Sequence, residues 1–241
     1  MVMGSGMADA NKKYRFERKY LLNEDSAFLL RQRISYLLAP DQAGREGKYH
    51  ISSLYFDDQY NSAFYEKLNG VSRRDKFRVR FYNGSKDIIR LERKQKHGEM
   101  ICKESTFLSG EQYEMMQGGD YDFMKTLQNA VVRNFYATHI MRHMHPVIMV
   151  DYERQAYVHQ AGNVRITFDT GLMASLPMSG RQLLAMPEQS VILEIKYDHF
   201  LPAFISAFLT GIPVSQQLAI SKYVMARLSV QGIYGSKCRI S

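Results

Sequence analysis

Hydrophobic and polar positions alternate with a period of two along several stretches of the chain and follow a helical period along others. The alternation in YRFERKYLL (14–22) predicts a strand. A helix is expected over 24–38, with Asn23 as its N-cap and Phe28, Leu29, Leu30, Ile34, Leu37 and Leu38 on its apolar side. YHISSLYFDD (49–58), rich in β-branched and aromatic residues, predicts a second strand, and a short helix near 60–69 ends at Asn69-Gly70. KFRVRF and IIRLERK flank Asn83-Gly84 and predict a hairpin, with EMICKESTF (99–107) as the next strand. Helices are expected over 109–117 and 120–136. PVIMVDYERQAYV and NVRITFD predict another hairpin around Ala161-Gly162-Asn163, and VILEIKYD (191–198) a later strand. Helices near 201–209 and 214–229 close the chain.

The result is an α+β chain with a mainly antiparallel sheet. Its strands carry charged residues on one face and apolar residues on the other. Helices must cover the apolar face, and closing the sheet into a barrel turns the charged face into a polar tunnel with helices around it. No repeat or Pro/Gly-rich linker divides the chain, so residues 13–232 read as one domain, with tails at 1–12 and 233–241.

The charged positions are unusual. Arg78 and Arg80 share a face; so do Arg90, Glu92, Lys94 and Lys96 on the next strand. Glu17 with Lys19, Glu99 with Lys103, Arg165 with Asp169, and Glu194 with Lys196 repeat the pattern, and Arg154 adds a further cation. Like charges opposite one another destabilise a sheet. Such a row is either a solvated surface or the seat of a polyanion. Arginine pairs bidentately with phosphate oxygens, and glutamates among phosphate-binding cations make sense where a divalent metal bridges the two.

The chain has 241 residues, 45% of them hydrophobic, and a formal charge of +8, which suits a globular protein with an anionic partner. Nucleic acid is the rival partner and is not expected, because Glu92, Glu99 and Glu194 would repel its backbone. No apolar run of transmembrane length occurs, and the expected location is the cytoplasm. Cys102 lies opposite in phase to Lys103 and reads as a small core residue. His139 and His143 stand four apart with His145 nearby, but without an acidic or cysteine partner they read as surface or partly buried histidines rather than a metal site. P-loop, GxSxG and HExxH motifs are absent.

The ordered runs FERKYLL, SLYFDD, KFRVRFY, RLERKQK, DYERQAYV, VRITFD, LEIKY and SKY, spanning 14–228, resemble the VTC domain. This is the polyphosphate-polymerase module of the vacuolar transporter chaperone family, within the CYTH-like triphosphate tunnel metalloenzymes. The resemblance implies a basic tunnel in which the γ-phosphate of ATP passes to a growing polyphosphate chain. It implies catalytic roles for Lys19, Arg78, Arg80, Lys94 and Glu194. Phosphate contacts are implied for Lys19, Arg74, Arg78, Arg80, Lys94, Lys103, Arg154, Arg165, Lys196, Ser221 and Lys222. Glu194 would hold Mn²⁺ or Mg²⁺. Implied partners are ATP and polyphosphate or triphosphate, with any membrane association supplied by a partner protein. The alternatives are a metal-dependent triphosphatase of the same fold and a polyphosphate-binding module without catalysis. One departure stands out: where the wider family has ExExK, this chain has Arg15-Phe16-Glu17-Arg18-Lys19, so Arg15 replaces the first acid.

Overall fold

The computed structural model describes residues 14–44, 47–98, 100–210 and 220–234. Its ten strands are β1 (Tyr14–Asn23), β2 (Ala39–Pro40), β3 (Lys48–Asp57), β4 (Arg73–Tyr82), β5 (Ser85–His97), β6 (Met100–Leu108), β7 (His145–His159), β8 (Val164–Ser175), β9 (Leu183–Leu184) and β10 (Ser190–Tyr197). They form one antiparallel sheet in the order β2-β7-β3-β4-β5-β6-β1-β10-β8-β9. β8 also pairs with β7, so eight strands close into a ring. Among the described residues, β6 and β1 share the pairs Tyr14 with Cys102 and Arg15 with Ile101, a narrow seam.

Six helices flank the ring: α1 (Glu24–Ser35), α2 (Ser62–Leu68), α3 (Gly110–Gly118), α4 (Ala130–Arg142), α5 (Ala203–Thr210) and α6 (Lys222–Tyr234). The outward apolar row of β3, β4 and β5, including Leu54, Phe77, Val79 and Leu91, packs under Tyr113, Met116 and Phe135 of α3 and α4. The outward row of β8 and β10, including Ile166, Phe168, Leu193 and Ile195, packs under Ala27, Leu30 and Ile34 of α1 and Ile205 of α5. These alternating rows are what sequence periodicity anticipates, and removing them from water drives closure of the ring. α6 packs elsewhere. Its Tyr223, Val224, Ala226 and Val230 meet Ile51, Val150 and Ile192, which lie on the other face of the sheet. That face is therefore apolar under α6 and charged beyond it.

Two helix boundaries differ from expectation. The segment expected as one helix over 120–136 is a short 3-10 turn, Asp122–Thr126, followed by α4. Asn129 starts α4 afresh because its side chain accepts the Val131 N–H at 2.9 Å. The start of the helix expected over 214–229 lies outside the described residues; α6 begins at Lys222. At the β4–β5 hairpin, Asn83 and Gly84 both have positive φ, as a two-residue turn requires. The histidine pair does not share a helical face. His143 ends α4 with φ 55°, and the His139 Nδ1 atom lies 3.0 Å from the Met144 carbonyl.

The SLYFDD run has a structural task. The Asp57 carboxylate accepts the backbone N–H groups of Ala63 at 2.9 Å and Phe64 at 3.1 Å, holding the start of α2, and it accepts the Tyr223 hydroxyl of α6. Arg227 donates to that hydroxyl at 3.0 Å and to Asn61 Oδ1 at 2.6 Å. A buried acceptor with several donors is costly to remove, because each donor is then left unpaired. Asp57→Ala is expected to lower unfolding free energy by about 2–4 kcal/mol in urea titration. A change within the noise of the wild type would remove Asp57 as the link between α2 and α6.

Candidate functional site: a cationic cavity inside the ring

The inward face encloses a cavity of about 390 Å³. Eleven lysine and arginine side chains and two glutamates are among its lining residues. Strand alternation places most of them: Glu17 and Lys19 from β1, Arg74, Lys76, Arg78 and Arg80 from β4, Lys94 and Lys96 from β5, Arg154 from β7, and Glu194 and Lys196 from β10. Lys67 of α2, Ser221, and Lys222 and Tyr223 of α6 complete the wall together with Tyr55 and Tyr152.

Register decides how these charges meet. Between β1 and β10, Lys19 lies opposite Glu194 and Glu17 opposite Lys196. The Lys19 ammonium is 2.8 Å from Glu17 Oε1 and 3.0 Å from Glu194 Oε2. Lys94 reaches Glu17 at 2.8 Å, and Lys196 pairs with Glu194. Burial opposes ionisation of Glu17, as does Glu194 beside it, but Lys19, Lys94 and Lys196 outweigh both and lower it to about 2. Burial likewise opposes the Glu194 charge, yet Lys196, Lys19, Arg154 and Lys222 hold it well below the usual carboxylate range. Burial also opposes the Lys19 charge, and the two glutamates reverse that and raise it above an ordinary lysine.

Two further carboxylates serve cations from behind the wall. Arg154 makes a bidentate pair with Asp169 at 2.6 and 2.7 Å, and Lys222 pairs with the same carboxylate. Against the penalty of burial, Arg154 and Lys222 lower Asp169 to about 2. Arg78 lies opposite Glu92 and pairs with it at 2.6 Å while donating to the Tyr55 hydroxyl at 3.1 Å. Arg80 has neutral partners, Ser53 Oγ at 3.1 Å and the Tyr152 hydroxyl at 3.0 Å.

Of the residues expected at the site, Lys19, Arg74, Arg78, Arg80, Lys94, Arg154, Glu194, Lys196, Ser221 and Lys222 line this one cavity. Lys103 and Arg165 are not among the lining residues. Lys103 pairs with Glu92, and Arg165 pairs with Asp41 and donates to the Tyr49 hydroxyl at 2.6 Å. Glu17, Lys67, Lys76 and Lys96 also line the cavity without having been assigned to the site. Glu17 and Lys76 were readable from phase, two residues from Lys19 and Arg78; Lys67 was not, since it comes from a helix. Arg15, in place of the family's first acid, turns to Asp198 at 2.9 Å. Among the described residues no group of three or more His, Cys, Asp or Glu gathers as a metal cage, and no helix is long and apolar enough to cross a membrane.

The family model of the VTC domain matches residues 14–231. The chain belongs to the VTC domain family. A search of curated proteins found no match. Solved structures with a similar course include a candidate adenylate cyclase from Bacillus halodurans, at 14% identity and TM-score 0.48 over 83% of this chain and 87% of that one. The PH1819 protein of Pyrococcus horikoshii is similar at 12% identity and TM-score 0.46, over 91% of this chain and 99% of that one. At these scores the family match, not the structural likeness, carries the assignment.

Arg78 and Arg80 are both site cations, but their partners differ. Arg78→Ala leaves the buried Glu92 with Lys103 as its remaining ion partner, so a loss of about 3 kcal/mol in ligand-free stability is expected. Arg80→Ala breaks hydrogen bonds to two hydroxyls, and a loss of about 1–2 kcal/mol is expected. Equal losses in urea unfolding would contradict the assignment of Glu92 to Arg78.

Proposed function

We propose that this VTC domain transfers the γ-phosphoryl group of ATP to the end of an inorganic polyphosphate chain held in the cavity. The observation that carries the reading is the wall itself: among the described lining residues, eleven cations face one cavity with two glutamates between them. Phosphoryl transfer asks a protein chiefly for positioning and for neutralisation of charge on the phosphate oxygens, and arginine and lysine supply both. Lys19, Arg78, Arg80 and Lys94 are the cations assigned to the donor's reacting phosphate. Arg74, Arg154, Lys196, Ser221 and Lys222 are assigned to the other phosphates, donor and acceptor.

The state of the glutamates favours a phosphate acceptor over water. Water must lose a proton to attack, so hydrolysis gains from a base with a suitable pKa. Glu17 and Glu194 are held far too low for that task, and no histidine is among the described lining residues; the lining lysines lowered toward a base's range, Lys67 and Lys76, are assigned to holding the anion. A polyphosphate terminus already carries a charged oxygen and needs no base.

Glu17 and Glu194 converge on the same ammonium group, Lys19 Nζ. Two converging carboxylates suit Mg²⁺ or Mn²⁺, which commonly takes its remaining ligands from water and substrate phosphates. Such an ion would neutralise charge on the donor phosphates. The chain's own residues bind and align the anion around it, with Lys19 and Lys196 keeping both carboxylates ionised.

Incubation of the protein with ATP, Mn²⁺ and a tripolyphosphate primer, followed by phosphorus NMR, tests the reading. Chains longer than the primer and ADP are expected. Orthophosphate in place of longer chains would establish a triphosphatase, and binding without turnover would establish a binding module. Glu194→Gln is expected to lower metal-dependent turnover at least about 100-fold while metal-free binding persists, since removing an anion from the wall does not weaken a polyanion's hold. Full turnover in the variant would exclude Glu194 as a metal ligand.

Binding should also depend on pH. Burial, and then the charges of Arg74, Lys19, Lys96 and Lys94, lower Lys67 from 10.5 to about 8. The lysine is cationic below that value and attracts an anion; above it the attraction fades. Tripolyphosphate affinity is expected to fall as pH rises from about 7 to about 9.5, and less steeply in Lys67→Arg, which stays charged. The same shift makes ligand-free stability rise between about 8 and 10.5, where the unfolded chain binds the additional proton. Calorimetric titration at several pH values reads the first effect, and equal slopes in both proteins would discount Lys67.

A further inference from the structure

The cavity cations divide by what compensates them. Lys19, Lys94 and Lys196 share Glu17 and Glu194, while Arg154 and Lys222 share Asp169. Lys67, Arg74 and Lys76 line the same cavity, and none of them lies within ion-pair distance of a carboxylate among the described residues. The three are neighbours. Arg74 and Lys76 are successive inward positions of β4 and lie opposite Lys96 and Lys94 of β5. Lys67 comes from α2, which packs beside β4. The Lys76 ammonium is 3.4 Å from Ser221 Oγ and 4.8 Å from the Tyr223 ring centroid. Burial first, and then the charges of Lys94, Arg74, Lys67 and Lys19, push Lys76 well below an ordinary lysine. Glu66 acts on Arg74 from beyond ion-pair distance, but folding has gathered the three cations here without a paired carboxylate among the described residues, although like charges opposite one another weaken a sheet.

We infer that Lys67, Arg74 and Lys76, with the Ser221 hydroxyl, form a separate subsite for the terminal phosphate of an inorganic polyphosphate acceptor, one that fills without a metal ion. The inference rests on the transfer reading above and assigns the two substrates to different parts of the wall. Near Glu17 and Glu194 a phosphate is repelled unless a metal ion stands between. Around Lys76 no described carboxylate is at hand, and an arriving anion relieves repulsion among the cations. Donor with metal and acceptor without it therefore sort themselves by local charge.

The test compares wild type with the double variant Arg74→Met and Lys76→Met, using tripolyphosphate as acceptor and ATP with Mn²⁺ as donor. The KM for tripolyphosphate is expected to rise at least about tenfold, with the KM for ATP within about threefold, because charge-assisted contacts to one substrate alone are lost. In a second arm, tripolyphosphate is titrated by calorimetry into metal-free protein with a chelator, and affinity should fall at least about tenfold in the variant. Equal increases in both KM values, or an unchanged metal-free affinity, overturn the subsite. If the wild type turns over no ATP, the transfer reading fails by itself, and the metal-free titration decides whether the subsite exists. The melting temperature of the double variant should equal or exceed that of wild type, because repelling cations have been removed. If it falls, Lys67→Met, which lies on α2 outside the sheet, repeats the titration and decides.

Discussion

Keeping cations inside a closed sheet depends on buried carboxylates placed by register. Glu17, Glu92, Asp169 and Glu194 each stand on or beside the inward rows and each serves two or more cations. Without them, desolvation would drive lysines to shed their protons and arginines to leave the interior. The pairing of β1 with β10 shows the economy of this arrangement: a one-residue change of register would separate Lys19 from Glu194 and Glu17 from Lys196, and would turn the apolar row inward. The same phase that puts charge inside puts Leu193 and Ile195 outside under α1. Site and core are thus two readings of one alternation.

Compensation is also uneven, and that unevenness gives the cavity its direction. Lysines that share glutamates stay charged over a wide pH range or sit close to an anion already present. Those of β4 and α2 have no such partner among the described residues, and burial with neighbouring cations lowers Lys67 to about 8 and holds Lys76 well below an ordinary lysine. A wall with a uniform mixture of charges would bind any polyanion in any orientation. On the proposed assignment, this one would give a metal-bearing phosphate and a metal-free phosphate different places to settle.

Much of this was legible from residue order. Period-two alternation identified the strands and placed Lys19, Arg78, Arg80, Lys94, Glu194 and Lys196 on charged strand faces, and the resemblance to the VTC domain joined them into one site. The limits of phase explain the rest. Periodicity tells which face a residue takes but not how far along the ring it lies. Arg165 sits in the inward row of β8 yet meets Asp41 and Tyr49 rather than the cavity. Lys103 is in phase as well, but Glu92 takes up its charge. Lys67 was hidden because α2 carries it across from outside the sheet, an arrangement that only tertiary packing reveals. The break before α4 was missed because the apolar spacing runs through it, while a single hydrogen bond from the Val131 N–H to the Asn129 side chain resets the helix.

The hydrogen bonds gathered by Asp57 have a wider meaning. One carboxylate joins the first turn of α2 to Tyr223 of α6, and these two helices deliver Lys67 and Lys222 to the same space. Arg227 of α6 adds a second link, to Asn61 at the start of α2, so opening one helix strips hydrogen-bond partners from the other. The two helices are therefore coupled to each other, and α6 also ties them to the ring through Ile51, Val150 and Ile192. An anion that reached both Lys67 and Lys222 would join the helices from within, so hydrogen exchange of their backbones would report whether the interior is filled.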